Sequence, residues 1–308
     1  MLKNKLSALW QFSRPHTIIG TSLSVTALYL MAASSGASIA NSALIWLSAA
    51  IACICANIYI VGLNQITDVA IDKINKPQLP LAAGDFTVKQ GWLIVITCLL
   101  WAIALALAGG KFLLLTVTLS LIIGTIYSQP PIRLKRFPFW ASMCIFSVRG
   151  LVVNIGLFLH FNYSLNNSLD IPLKLWLLTI FILIFTYVIA IFKDMPDIEG
   201  DRQFNIATLS IQWGQLSVFN LSRQILLSLY TIITIISITS WLTDFSININ
   251  NLVLIVTHGI LVVVFWQRSI IVNLSDRQEI TQFYQFIWKL FYLEYIIFPL
   301  ANIIQFIN

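Results

Sequence analysis

Charge is scarce in this chain. Asp, Glu, Lys and Arg together make up 10% of its 308 residues, where a soluble globular domain carries about a quarter. With 58% hydrophobic residues and a mean hydropathy of +0.87, a water-soluble fold is excluded and a membrane protein is implied. Period-2 alternation is missing from the apolar runs, which excludes a transmembrane β-barrel and leaves helices, the other structure that satisfies its own backbone amides in lipid. Cysteine is sparse as well: Cys53, Cys55, Cys98 and Cys144 all fall in apolar runs without paired ligand spacing, so they read as small packing residues rather than a metal or redox motif. The three histidines, His16, His160 and His258, show no ligand spacing either and read as interface or packing residues. No Ser, Cys or His triad is discernible. The first residues resemble neither a secretory signal nor a Ser/Arg-rich transit peptide, and a bacterial membrane is the expected location.

What the chain does have is length in its hydrophobic runs. A spanning helix needs about 20 apolar residues, and nine such spans are predicted, at 17–35, 43–63, 91–108, 111–127, 139–160, 173–192, 216–241, 252–266 and 288–307. With the N-terminus in the cytoplasm, the cytoplasmic termini and loops, counted together with the span ends next to them, hold fifteen of the eighteen Lys and Arg. The opposite side has only Lys111 and Lys174, and Arg149 falls within a span. The positive-inside rule therefore predicts a cytoplasmic N-terminus and, with nine spans, an external C-terminus. The net charge of +6 is a topology signal with some attraction to anionic membrane lipid, and nucleic acid is not an expected partner. One polytopic domain over residues 1–308, an all-α integral membrane bundle, is the expected organisation.

The twelve acidic residues are unevenly spread. Seven lie in two stretches: Asp68, Asp72 and Asp85 in NQITDVAIDKINKPQLPLAAGD, and Asp194, Asp197, Glu199 and Asp201 in FKDMPDIEGDRQFN. Four predicted spans separate the two, so both belong on the same side of the membrane, the cytoplasmic one by the charge count. Asn64, Asp68 and Asp72 recur every four residues, which lines them on one face of a helix that continues out of span two. Asp197 and Asp201 repeat that step with Asp194 before them, while Pro196 and Gly200 predict partial unwinding. Facing carboxylate ridges repel unless a cation lies between them. An oxygen-only ligand set suits Mg2+, which keeps several waters and completes its shell with phosphate oxygens. Read singly, each stretch also has the composition of helix caps and turns, and INKPQLP reads as a proline-punctuated loop.

Basic partners are available on the same side. The loop YSQPPIRLKRFP after span four offers Arg133, Lys135 and Arg136 to phosphate oxygens, with Tyr127 as a hydroxyl donor. Positive-inside topology alone also accounts for these cations. Arg14, in SRPHTIIG at the mouth of span one, and Lys193 and Arg202, beside the second acidic stretch, are counted with them as candidate substrate contacts.

NQITDVAIDKINKP resembles the NxxxDxxxD element of the UbiA-type membrane prenyltransferases, DIEGD resembles their DxxxD element, and YSQPPIRLKR is similar to the basic segment after their fourth helix. More narrowly, FSRPHTIIGTSLSV, NKPQLPLAAGDFT, VRGLVVNIGLFLH and KDMPDIEGDRQFNIATL resemble the homogentisate phytyltransferases of cyanobacteria and plastids. The resemblance runs from about Arg14 through span seven. It implies a UbiA-like bundle of nine transmembrane helices around a central cavity, in which Asn64, Asp68, Asp197 and Asp201 hold Mg2+, supported by Asp72 and Asp194. Two ions would bridge the diphosphate of a prenyl donor. The implied reaction passes a phytyl group from prenyl diphosphate to an aromatic acid, homogentisate, with loss of the carboxylate, in tocopherol synthesis. The implied setting is a cyanobacterial inner or thylakoid membrane with the site on its cytoplasmic side. One departure is Gln65, where many members have Asp, which is expected to remove a charge from the site.

Arg149 lies outside the motifs, ten residues into span five. At about 1.5 Å per residue that is near mid-bilayer, where a charge needs a partner. It either binds the acceptor carboxylate, with Asn154 as a polar helper, or pairs with Glu294 of span nine or caps exposed carbonyls. Tyr59, Tyr127 and Tyr187 either shield an allylic cation with their π faces or serve as packing and interface anchors. The rival class is a secondary transporter, whose ion sites lie near the bilayer midplane, whereas these acids fall at helix ends. Within the family, chlorophyll synthases, 4-hydroxybenzoate or naphthoate prenyltransferases and longer-chain homogentisate enzymes are the alternatives.

Overall fold

The computed structural model describes residues 2–33, 42–243 and 249–303, and the regular elements among them are all helical. In chain order they are α1 (Leu2–Phe12), α2 (Pro15–Ala33), α3 (Ala43–Thr67), α4 (Val69–Asn75), α5 (Pro80–Ala83), α6 (Val88–Gly109), α7 (Lys111–Ser128), α8 (Pro138–Phe146), α9 (Val153–Asn166), α10 (Leu173–Phe192), α11 (Ile198–Gln203), α12 (Leu209–Gln212), α13 (Gln215–Thr243), α14 (Ile249–Ile270) and α15 (Arg277–Ile303). Prolines open α2, α5 and α8, where the missing N–H has no helical partner to lose. A π-helical turn, Ser147–Val152, joins α8 to α9, so that the two form one span, Pro138–Asn166.

Eight helices among the described residues are long and apolar enough to cross a membrane, and they coincide with the first eight predicted spans. The ninth predicted span falls in α15, which packs against α2, α10 and α14, while the span's last residues, 304–307, lie outside the described ones. The helix α10 runs through the centre, with Phe181, Ile182, Phe185 and Phe192 essentially inaccessible. Phe181 and Phe185 meet Tyr230 of α13 and Phe291 and Phe298 of α15 at ring separations of 5.4 to 6.4 Å, within the range of favourable edge and tilted contacts. Buried Ala49, Ala52, Ala102 and Ala106 accompany the packing of α3 on α6, as expected where lipid leaves close van der Waals approach to hold helices together. The outer faces of α6 and α14 expose Leu93, Leu100, Val256 and Ile260 and are the lipid-facing walls.

One polar contact lies deep in this bundle. His258 Nε2 and Glu294 Oε2 are 3.2 Å apart, both side chains wholly inaccessible, and His258 Nδ1 is 3.0 Å from the Leu254 carbonyl. A carbonyl only accepts, so Nδ1 is the donor in that contact and Nε2 is the nitrogen turned to the carboxylate. Glu294→Ala strands the imidazole and is expected to destabilise the protein by about 3–5 kcal/mol, whereas His258→Phe combined with Glu294→Leu restores most of the loss. Thermal unfolding in detergent reads both; equal midpoints for Glu294→Ala and wild type would exclude a structural pair.

The short helices α1, α4, α5, α11 and α12, with the 3-10 turn Leu134–Arg136, gather at one end of the bundle and contact one another or the ends of the long helices. The candidate site lies among them.

Candidate active site

The helix α3 stops at Thr67, Asp68 forms the joint (φ −116°, ψ 13°), and α4 resumes at Val69. The Asp72 N–H donates to the Asp68 carbonyl at 2.8 Å, so the helical path survives the joint. Asn64, Asp68 and Asp72 consequently face one basin, and Lys76, four residues further on, extends the series. The second stretch is unwound before Ile198, as Pro196 led one to expect, whereas Gly200 lies within a helix. α10 ends at Phe192, turns follow, and α11 begins at Ile198 with Asp197 at its N-cap. Asp194, Asp197 and Asp201 line the same basin.

Asn75, at the end of α4, brings the two stretches together. Its Oδ1 accepts from the Gly200 N–H at 3.0 Å, and its Nδ2 donates to Asp201 Oδ1 at 3.4 Å. Arg277 of α15 donates to its backbone carbonyl at 2.7 Å. The approach requires glycine at 200: a Cβ there would lie 2.5 Å from Asn75 Oδ1.

Each acid has an assigned neighbour except one. Asp68 accepts from Arg133 at 2.8 Å and from Asn64 Nδ2 at 3.0 Å, and also pairs with buried Lys135. Arg14 donates to Asn64 Oδ1 at 3.4 Å. Asp197 pairs with Lys76, and Asp194 with Lys193 at 2.5 Å. Asp72 Oδ2 is buried with no hydrogen-bond partner. Burial pushes the Asp72 carboxyl up to about 6 against the pull of Arg14 and Lys76. It pushes Asp201 up to about 7, with the charges of Asp194 and Asp197 adding to the effect. Burial also brings Lys135 down to about 8, opposed by Asp68. These carboxyls are costly as anions and gain from a further cation.

The donor set is oxygen only, and the orphaned Asp72 oxygen is available, so the chemistry fits Mg2+. Among the described residues no three His, Cys, Asp or Glu side chains close on a single point. The acids instead bracket a basin of about 1130 Å³, which leaves room for phosphate oxygens and water in the coordination shell. Beyond it, an inner pocket of about 240 Å³ enters the bundle, and Arg14, His16, Asn64, Tyr127, Lys193, Tyr284 and Trp288 line both spaces. The inner walls are mainly apolar, including Ile60, Val117 and Leu157, with Asn57, Ser120 and Arg149 among the polar exceptions.

Residues 22–290 match the UbiA prenyltransferase family. The chain belongs to that family. It is 50% identical over 299 residues to homogentisate phytyltransferase of Synechocystis sp., covering 96% of each chain. It is 39% identical to the chloroplastic homogentisate phytyltransferase 1 of Arabidopsis thaliana, covering 96% of this chain and 76% of that one. Its fold matches that of a UbiA homolog from Archaeoglobus fulgidus bound to GPP and Mg2+, with a TM-score of 0.63 at 18% identity over 96% of this chain and 99% of that one.

In this UbiA protein Arg149 sits on the π-helical turn, its guanidinium 5.1 Å from the Trp288 ring centre and 5.5 Å from that of Phe291. Gly20 leaves it room, since a Cβ there would stand 3.1 Å from Nη1. The alternative pair with Glu294 is not formed, because that carboxylate faces His258. Asn154 does not line the pocket: it donates to the Gly150 carbonyl at 2.9 Å and accepts from Tyr295 at 2.8 Å, which secures the α8–α9 span around the turn. Arg202 is exposed on α11, away from the lining. Tyr127 lines both spaces, whereas Tyr59 bonds Thr125 at 2.8 Å and Tyr187 packs on Phe146. Gln65 also differs from expectation: its Nε2 donates to the Phe12 carbonyl at 2.7 Å, so it ties α1 to α3 rather than weakening the charge of the basin. Successive helical residues point about 100° apart, which turns residue 65 away from the face of Asn64.

Sequence reading missed Asn75, Lys76 and Arg277, which form the latch, and Tyr284, Trp288 and His16, which line the throat. Lys76 was within reach as the next member of the four-residue series. The aromatic wall comes from α15, which carries no motif. The acids lie at helix ends on one rim, not at mid-depth, contrary to the arrangement of a transporter's ion site.

Proposed function

We propose that this chain transfers a phytyl group from phytyl diphosphate to homogentisate with loss of the carboxylate, in tocopherol synthesis. The observation that carries this reading is the convergence of two acidic stretches and a ring of cations on one basin that opens into a mainly apolar pocket with Arg149 in its wall. The 50% identity to the Synechocystis enzyme over nearly the whole chain supports the choice of substrates.

Asn64, Asp68, Asp197 and Asp201 would hold Mg2+, two ions in all, with Asp72 and Asp194 in support, and the metal would neutralise charge on the departing pyrophosphate. Lys76, Lys135, Arg133, Arg14 and Lys193 complete that neutralisation. Their side chains are held before substrate arrives, which lowers the cost of charge development at the moment of bond breaking. The apolar pocket keeps water from the allylic cation. The phytyl tail is as apolar as lipid and lies between helices. The basin faces the cytoplasm, the side that the loop charges favour, of a cyanobacterial inner or thylakoid membrane.

Arg149 binds the acceptor's carboxylate. Arg149→Leu is expected to raise the KM for homogentisate at least ~10-fold while changing that for phytyl diphosphate little, as removal of a charged hydrogen bond implies; an unchanged acceptor KM excludes the role. The function itself is tested in membranes with phytyl diphosphate and either homogentisate or 4-hydroxybenzoate, with and without EDTA. Transfer to homogentisate that requires added Mg2+ is expected. Preference for 4-hydroxybenzoate, or full activity in EDTA, would overturn the assignment.

A further inference from the structure

His16 stands where the basin meets the inner pocket and lines both. Its backbone is fixed, because Pro15 opens α2 one residue earlier and Tyr292 Oη donates to the His16 carbonyl at 2.8 Å. The ring stands edge-on to Trp288, centroids 4.9 Å apart. Among the described residues neither ring nitrogen has a hydrogen-bond partner. Arg149 lies against the same indole, and Gly20, one turn after His16, makes the room for it. Guanidinium, from the π-helical turn, and imidazole, from α2, thus line one pocket. Arg14 and Arg149 line the same pocket and already supply its positive charge, so what an imidazole adds there is a lone pair. A ring held at Arg149 and attacked from the basin passes it.

We propose that His16 is the general base of the transfer, taking the proton that the acceptor ring loses on alkylation. This rests on the reading of the inner pocket as the acceptor site. The donor's allylic carbon–oxygen bond breaks and both electrons leave with the diphosphate. A ring carbon ortho to a phenol hydroxyl gives an electron pair to the new carbon–carbon bond and becomes tetrahedral. Its C–H proton passes to an imidazole nitrogen, and the C–H electron pair restores aromaticity. The imidazolium then protonates the carbon that departing CO2 leaves with an electron pair, which resets the base without an external acid.

Pyrophosphate, phytylated quinol and free phytol are measured together for the full-length enzyme in micelles with Mg2+. His16→Gln and His16→Phe are expected to lower transfer ~100-fold, the range of a lost general base, with a much smaller loss of pyrophosphate release and the difference appearing as phytol. Added imidazole partly restores transfer in His16→Ala. Parallel loss of release and transfer, or a loss of transfer below about threefold, overturns the proposal. If the variants do not accumulate, wild-type protein modified at His16 by diethyl pyrocarbonate takes their place, and full transfer after modification overturns it. Wild-type transfer is measured first. Reaction with 4-hydroxybenzoate but not homogentisate sinks the acceptor assignment and leaves His16 to be tested on the former, while transfer to neither overturns both readings.

Discussion

Asp68→Asn is expected to lower prenyl transfer by ~10²-fold or more, the scale on which removal of a preorganised charge-stabilising group acts. Asp68 is where the first acidic stretch, the Arg133–Lys135 turn and Asn64 all meet. An amide in its place offers one acceptor instead of two and presents an N–H to a guanidinium or an ammonium. Lys135, only 8% exposed, then loses its counter-ion, so the phosphate-binding turn shifts along with the metal ligand. Asp85 is the internal control: it belongs to the same stretch of sequence but is exposed and absent from the basin. Asp85→Asn should keep transfer within about threefold of wild type, as surface substitutions generally do. Product formation in membranes with matched protein levels checks both. Equal activity of the two variants would remove Asp68 from the mechanism.

The second large effect is expected from a residue with no functional group. Gly200→Ala puts a methyl 2.5 Å from Asn75 Oδ1 and 2.7 Å from its Nδ2. Asn75 has to swing away, and in doing so it gives up its contacts with the Gly200 N–H and Asp201. The helices α4 and α11 then separate at the point where the acidic stretches are joined. A loss of kcat/KM of ~10²-fold is expected, the size of effect that follows a displacement of about 1 Å in a reacting constellation. Because the defect lies in spacing and not in ligand identity, the Mg2+ concentration for half-maximal activity should rise too. Asn75→Ala combined with Gly200→Ala removes the clash but not the missing latch, so activity should remain low. Near-normal activity of Gly200→Ala would show that the stretches are held together by other means.

The long helices and the acidic series were legible in sequence because each depends on local periodicity. Apolar length fixes a span whatever surrounds it, and steps of four residues fix a shared face. What was not legible is the rotation of that face relative to its neighbours. Gln65, adjacent to Asn64 in sequence, points to α1, and Tyr59 and Tyr187 point into packing contacts, whereas Tyr127 reaches the cavity. Such choices depend on partners far along the chain. The same holds for Asn75, which looks like a loop residue until Gly200, 125 residues away, donates to it. Arg149 could be singled out for its depth alone, but its seat depends on Gly20, Trp288 and Phe291 from two other helices. His16 was passed over because ligand spacing is a test for metal histidines, and a base that acts singly has no spacing to detect.

Equilibrium binding of a non-hydrolysable phytyl diphosphate analogue, with carbon replacing the bridging oxygen, tests directly whether the two acidic stretches act as one site. The expected result is binding that requires Mg2+ and weakens at least ~10-fold for either Asp68→Asn or Asp201→Asn alone, as loss of a charge-assisted ligand to the metal–diphosphate implies. Equal binding in EDTA, or full affinity with either stretch neutralised, would contradict it.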